Sequence, residues 1–90
     1  MSTTGVHVRA QGRVQGVFFR AEARERAESL GVSGWIRNAE DGSVEAVFEG
    51  DEERVQSLVE WCRRGPRGAV VDSVEIAEER PTGEARFEVR

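Results

Sequence analysis

The sequence predicts an α+β domain with one antiparallel sheet and two helices on one of its faces, in the order β-α-β-β-α-β. Three observations predict it. Apolar and polar residues alternate with period two around Val6, Val44 and Phe87, as strands with one buried face require. Apolar residues recur three and four apart from Ala23 to Leu30 and from Val55 to Cys62, as helices that bury one stripe require. Between two alternating runs stands Asp41-Gly42, the strongest short-range signal for a hairpin.

In the first strand Val6, Val8 and Ala10 share one face, and His7, Arg9 and Gln11 share the other. His7 reads there as a surface or partly covered residue, because no ligand set surrounds it. A glycine-flanked loop leads into a helix from about Ala21 to Leu30, with Ala23, Ala27 and Leu30 facing inward and Gly31 as its stop. Glu22 with Arg26 and Arg24 with Glu28 stand four apart, pairs that support an exposed helix face by roughly a few tenths of a kcal/mol each.

Gly34 to Asn38 reads as a short strand, with Trp35 a core or sheet-face aromatic rather than a substrate platform. Across the hairpin, Val44, Ala46 and Phe48 alternate with Glu45, Val47 and Glu49. Asp51 is placed to cap the second helix, whose stripe is Val55, Leu58, Val59 and Cys62. A thiol on that stripe is expected to be buried and inert. Arg63, Arg64 and Arg67 flank Gly65-Pro66, which suits cations at a helix C-terminus followed by a stop. Val70 to Ile76 forms a further strand with Val74 and Ile76 in phase. Pro81-Thr82-Gly83 turns, and Ala85, Phe87 and Val89 alternate in a short last strand. The order is that of the split β-α-β, ferredoxin-like pattern, which by itself decides no function.

The 90 residues suit a single domain, 1–90, near the small end of what folds without disulfides or metals, with 1–5 as a flexible N-terminal tail. Seventeen acidic residues against 13 basic ones, all arginine, leave a net charge of -4. That balance argues against broad nucleic-acid or anionic-membrane partners, which call for a basic face. One cysteine and one histidine exclude an intrachain disulfide and a multi-cysteine zinc site, and no metal or cofactor is expected. The N-terminus has neither apolar run nor basic flank, so the expectation is a cytoplasmic protein that does not span a membrane. Without a long apolar edge, the expected state is a monomer.

The loop Gly12-Arg13-Val14-Gln15-Gly16-Val17-Phe18-Phe19-Arg20 carries the first functional signal. Glycines let a backbone take positive φ and turn its N–H groups inward around an oxyanion. A helix N-terminus adds unpaired donors and partial positive charge at the same spot. Arg20 would be the fixed charge of such a cradle, and a cation there opposes the helix dipole unless an anion joins it. The plainer alternative is that the glycines serve only a turn. Asn38, read alone, also suits the start of the hairpin turn.

Taken together, these stretches resemble the acylphosphatase family. The loop from Gly12 to Arg20 looks like the family's signature. Gly34-Trp35-Ile36-Arg37-Asn38 with Asp41-Gly42-Ser43-Val44 looks like its second motif, and Gly65-Pro66 with Ala69-Val70-Val71-Asp72 is similar to a third, less specific stretch. The resemblance covers roughly residues 6–90. It implies a hydrolase that splits small acyl phosphates into a carboxylate and orthophosphate, without a metal or a covalent intermediate. It assigns Arg20 to the phosphate, Asn38 to the attacking water, and the backbone N–H groups of Gln15, Gly16, Val17, Phe18 and Phe19 to the cradle. Some relatives carry a hydroxyl residue just after the asparagine to brace it; this chain has Ala39, which leaves the brace of Asn38 unassigned. The side chain of Gln15 receives no role.

The chemistry closes on these residues. An acyl phosphate expels a carboxylate whose conjugate acid has a pKa of about 4–5, so no general acid is required. Phosphoryl transfer through a loose transition state asks mainly for positioning and for charge stabilisation on the equatorial oxygens. An arginine fork and preorganised N–H groups supply that, and a neutral amide orients water through its donor and acceptor atoms. Two other readings compete: a non-catalytic phosphate-binding module, which would bind without turnover, and an RNA-binding sheet. The second calls for exposed strand aromatics and a basic face, against no Tyr and a net charge of -4 here.

Overall fold

In the computed structural model, which describes residues 3–90, the chain runs β1 (Thr3–Arg13), α1 (Phe19–Leu30), β2 (Ser33–Asn38), β3 (Val44–Asp51), α2 (Glu52–Arg64), β4 (Val70–Glu79) and β5 (Phe87–Val89). The strands form one sheet in the order β4-β1-β3-β2-β5. Strand β1 pairs antiparallel with β3 and β4, and the β2–β3 hairpin is antiparallel, with Asn38 opposite Val44.

The expected all-antiparallel sheet is in fact mixed, because β5 lies parallel to β2, with Gly34 opposite Phe87. The reason is topological. Strand β4 occupies one edge and runs in the direction of β3; the chain then crosses to the far edge and returns in the direction of β1 and β2. Glu49 fastens that crossing. Its carboxylate is buried and accepts hydrogen bonds from Thr82 N (2.8 Å), Thr82 Oγ1 (3.0 Å), Gly83 N (3.2 Å) and Glu84 N (3.2 Å). Burial alone would raise its pKa, but the donors of Thr82, Glu84 and Gly83 together outweigh burial and hold it below the ordinary 4.5.

The core lies between the helices and one sheet face. Helix α1 contributes Phe19, Ala23 and Ala27; α2 contributes Val55, Leu58, Val59, Trp61 and Cys62; the sheet contributes Val6, Val8, Ala10, Ile36, Ala46 and Phe48. Burying one of the larger aliphatics contributes about 1.5–3 kcal/mol. Asp51 caps α2 as expected, its carboxylate accepting from Arg54 N. Cys62 is fully buried, and burial pushes its thiol pKa up to about 12.

Local departures from expectation have local causes. Helix α1 begins at Phe19, two residues earlier than Ala21, because Phe18 rather than a polar cap turns the chain into it. Trp61, off the expected stripe, is buried beneath the Phe19 ring edge and the Arg26 guanidinium, each 5.1 Å away. Strand β4 reaches Glu79 and is an edge strand, so Ile76 stays 40% exposed. Of the expected tail, Thr3 to Gly5 belong to β1, opposite Asp51 to Glu49; residues 1–2 lie outside the described residues. On the sheet face away from the helices, His7 pairs with Glu45 (2.6 Å), which also accepts from Arg37 Nε (2.6 Å). The His7 bond, then Arg37, hold the Glu45 carboxyl below its ordinary value against the opposing effect of burial.

Candidate active site

The two glycines of the loop differ in kind. At Gly12 the β1–β4 register shifts, φ is +128°, and a Cβ would lie 2.1 Å from the Val70 carbonyl oxygen. That glycine exists for the close approach of two strands. At Gly16 φ is +74° and a Cβ would meet nothing within 4 Å. Its side faces open space.

Phe18 is the one non-glycine among the described residues with positive φ (63°), and its side chain is 78% exposed. A left-handed residue with a Cβ costs roughly 1–2 kcal/mol, strain that Phe18 supports without burying its ring. Buried Val14 and Phe19 pin the loop on either side of it. The Phe18 carbonyl accepts the first helical hydrogen bond, from Glu22 N at 3.0 Å. Among the described residues, none of the N–H groups of Gln15, Gly16, Val17, Phe18 and Phe19 enters a backbone hydrogen bond. Free donors at a helix N-terminus, with left-handed residues two apart, are what an anion-binding backbone presents.

Arg20 is the second residue of α1, half-buried, and its guanidinium donates to the main-chain oxygen of Arg90 at 3.2 Å. Arg90 N in turn donates to Ile36 O at 2.8 Å, which ties Arg20 to the end of β5 and the middle of β2. Asn38 closes β2 in phase with buried Gly34 and Ile36, so it lies on the helix side of the sheet, as the loop and α1 do. Trp35, on the opposite phase, is half-buried on the open face with the Arg90 guanidinium 4.9 Å from its ring centre. A cleft of about 650 Å³ opens beside the loop, walled by Gly16, Phe18, Arg20, Arg24 and Val89; Asn38 stands outside it.

One side chain given no role by sequence reasoning joins these parts. Gln15 Nε2 donates to Ala39 O (2.8 Å) and to Ser43 O (2.9 Å), across from the loop to the hairpin turn after Asn38. The acceptors are main-chain carbonyls, which leave no mark in a sequence. The turn is itself closed by Ala39 N to Ser43 O (2.8 Å) and Gly42 N to Ala39 O (3.2 Å). Asp41 Oδ1 accepts from the hydroxyl (2.6 Å) and N–H (2.9 Å) of Ser43, which hold its carboxyl below the usual range, and Arg9 reaches Asp41 Oδ2 (3.1 Å) and Ser43 Oγ (2.9 Å). Loop, Arg20 and Asn38 therefore occupy one end of the sheet. Arg63 instead pairs with Glu60 (3.3 Å) on the exposed surface of α2.

A family model described as Acylphosphatase matches residues 6–89. The chain is 61% identical over 89 residues to the acylphosphatase of Rubrobacter xylanophilus, covering 98% of this chain and 81% of that one. Among solved structures, an acylphosphatase from Coxiella burnetii superposes with a TM-score of 0.94 at 40% identity, covering 98% of this chain and 93% of that one. The acylphosphatase from Bacillus subtilis gives 0.92 at 34% identity, covering 97% and 98% respectively. Identity of this order, spread over four-fifths or more of each of these chains and matched by the family model over residues 6–89, leaves one conclusion: this chain belongs to the acylphosphatase family.

Proposed function

We propose that the chain hydrolyses the carboxyl–phosphate bond of small acyl phosphates by direct in-line attack of water. The phosphoryl group sits against the N–H groups of Gln15, Gly16, Val17, Phe18 and Phe19, and Arg20 clamps it through its planar fork. Asn38 orients the water with its amide. The carboxylate leaves as an anion, since its conjugate acid has a pKa of about 4–5 and needs no proton at neutral pH. The remaining work is charge stabilisation on the phosphoryl oxygens, which fixed N–H donors supply without reorganising.

The observation that supports this reading is that the loop, whose N–H groups make no backbone hydrogen bond among the described residues, is tied by Gln15 to the turn after Asn38, while Arg20 is tied through Arg90 to β2. No resident metal or cofactor is assigned. Among the described residues, no group of three or more His, Cys, Asp and Glu side chains gathers as a ligand set. The intact Asn38 favours turnover over the alternative of a phosphate-binding module. The test is hydrolysis of acetyl phosphate in the presence of a chelator, by the wild type and by Arg20→Gln and Asn38→Ala. Near-total loss in both folded variants is expected; wild-type rates in both would overturn the site.

The same reading takes the protein as a cytoplasmic monomer. Among the described residues no helix is long and apolar enough to cross a membrane. The edge strand β4 carries exposed Glu75, Glu78 and Glu79, and charges of this kind discourage strand-to-strand pairing of copies. A monomeric elution volume in size-exclusion chromatography with light scattering is expected, and a stable dimer would contradict it.

A further inference from the structure

We infer that Gln15 is the positioning residue for Asn38, its carboxamide holding the hairpin turn so that the water-orienting side chain meets the phosphate cradle in register. This rests on the reading of Asn38 given above and answers a question that reading leaves open. Asn38 is followed by Ala39, which has no hydroxyl with which to brace it, and the described residues give the Asn38 side chain no hydrogen-bond partner of its own. What holds the end of β2 in place is therefore the main chain on either side of it.

Gln15 grips that main chain at two points. Both acceptors are carbonyl oxygens, of Ala39 at 2.8 Å and of Ser43 at 2.9 Å, so only the amide nitrogen can face them, and it spends both of its N–H donors there. Ala39 adjoins Asn38 in sequence, and Ser43 adjoins Val44, the β3 residue opposite Asn38. The two bonds thus bracket Asn38 from the next residue along and from across the ladder. Arg9 holds the same turn from the open face, through Asp41 and Ser43. The backbone of Gln15 lies in the loop proposed to bind phosphate, so one residue ties the anion site to the water site. A shift of about 1 Å between reacting groups is enough to cost on the order of a hundredfold in rate, which is why such a tie matters.

Gln15→Met tests this, because it keeps the length of the side chain, adds no charge near the phosphate and removes both donors. The expected result is a fall in kcat of roughly tenfold or more, with the inhibition constant of inorganic phosphate held within about twofold. Amide hydrogen exchange at Ala39 and Gly42, the donors that close the turn, should quicken at the same time. A Gln15→Met enzyme with wild-type kcat would overturn the inference. So would a phosphate constant that rises as far as kcat falls, since Gln15 would then serve the cradle rather than Asn38. Asn38→Ala is measured alongside. If it is inactive while Gln15→Met is normal, only the positioning role of Gln15 fails; if Asn38→Ala keeps its rate, the assignment of the water site fails and this inference with it.

Discussion

Replacing each loop glycine by alanine separates the architectural from the chemical part of the loop. At Gly12 a Cβ would sit 2.1 Å from Val70 O and 2.9 Å from Asp72 N, at a φ of +128° that residues with a Cβ rarely adopt. The backbone strain and the forced opening of the β1–β4 bulge together cost about 3–5 kcal/mol. For a domain of this size each kcal/mol moves Tm by about 4–8 °C, so Gly12→Ala should melt about 12–40 °C lower. At Gly16 the added methyl meets nothing within 4 Å, and only the left-handed φ of +74° is penalised, by roughly 1–2 kcal/mol. Gly16→Ala should therefore melt only about 5–15 °C lower. Its activity should suffer far more, because the proposed cradle puts the phosphoryl group in the open space beside Gly16: kcat/KM should fall by at least about tenfold, or 1.4 kcal/mol of transition-state binding. The assay pairs thermal melting with acetyl phosphate turnover per folded molecule. If Gly16→Ala keeps wild-type kcat/KM, or if Gly12→Ala loses kcat/KM without losing stability, the division between the two glycines is wrong.

Other perturbations have equally definite outcomes. Glu49→Gln keeps one acceptor oxygen but turns an NH₂ towards either Thr82 or the Gly83–Glu84 pair, leaving at least one backbone N–H unpaired. It should destabilise by about 2–3 kcal/mol, read by urea unfolding, with no change in kcat. Glu49 and Glu45 both have pKa values held below 4.5 in the folded state, so their contribution is complete above that pH and is lost as pH falls through the lowered values; Tm should hold from neutral pH to about 5 and drop below, less steeply in Glu49→Gln. Arg20→Lys should recover little of the activity lost in Arg20→Gln, since an ammonium cannot reproduce the fork, and full recovery would rule out bidentate binding. Hydrolysis in heavy-oxygen water should place the label in orthophosphate, as mass spectrometry would show; label in the carboxylate would mean attack at carbon instead of phosphorus.

Most of the fold was legible because burial imposes periodicity. The alternation through Val44, Ala46 and Phe48, the stripe from Val55 to Cys62 and the Asp41-Gly42 turn report local geometry directly. The parallel placement of β5 was not legible, because a strand of three residues carries little pattern and its path depends on Glu49 meeting Thr82, Gly83 and Glu84, over thirty residues away in sequence. The early start of α1 was missed for a related reason: cap rules look for Ser, Thr, Asp or Asn, whereas here a left-handed Phe18 makes the turn. Within the candidate site, Gly16 and Arg20 were visible as a loop glycine and a cation set against a helix dipole. Gln15 was not, since its partners are carbonyls of Ala39 and Ser43 that any residues would supply.

The most direct test of the division of labour at this site compares binding with turnover in one variant. Asn38→Ala should bind inorganic phosphate as the wild type does, by calorimetric titration, while its hydrolysis of acetyl phosphate is nearly abolished. Arg20→Gln, measured in the same way, should lose both. An Asn38→Ala protein that hydrolyses acetyl phosphate at the wild-type rate, or that loses phosphate binding together with turnover, would contradict the account.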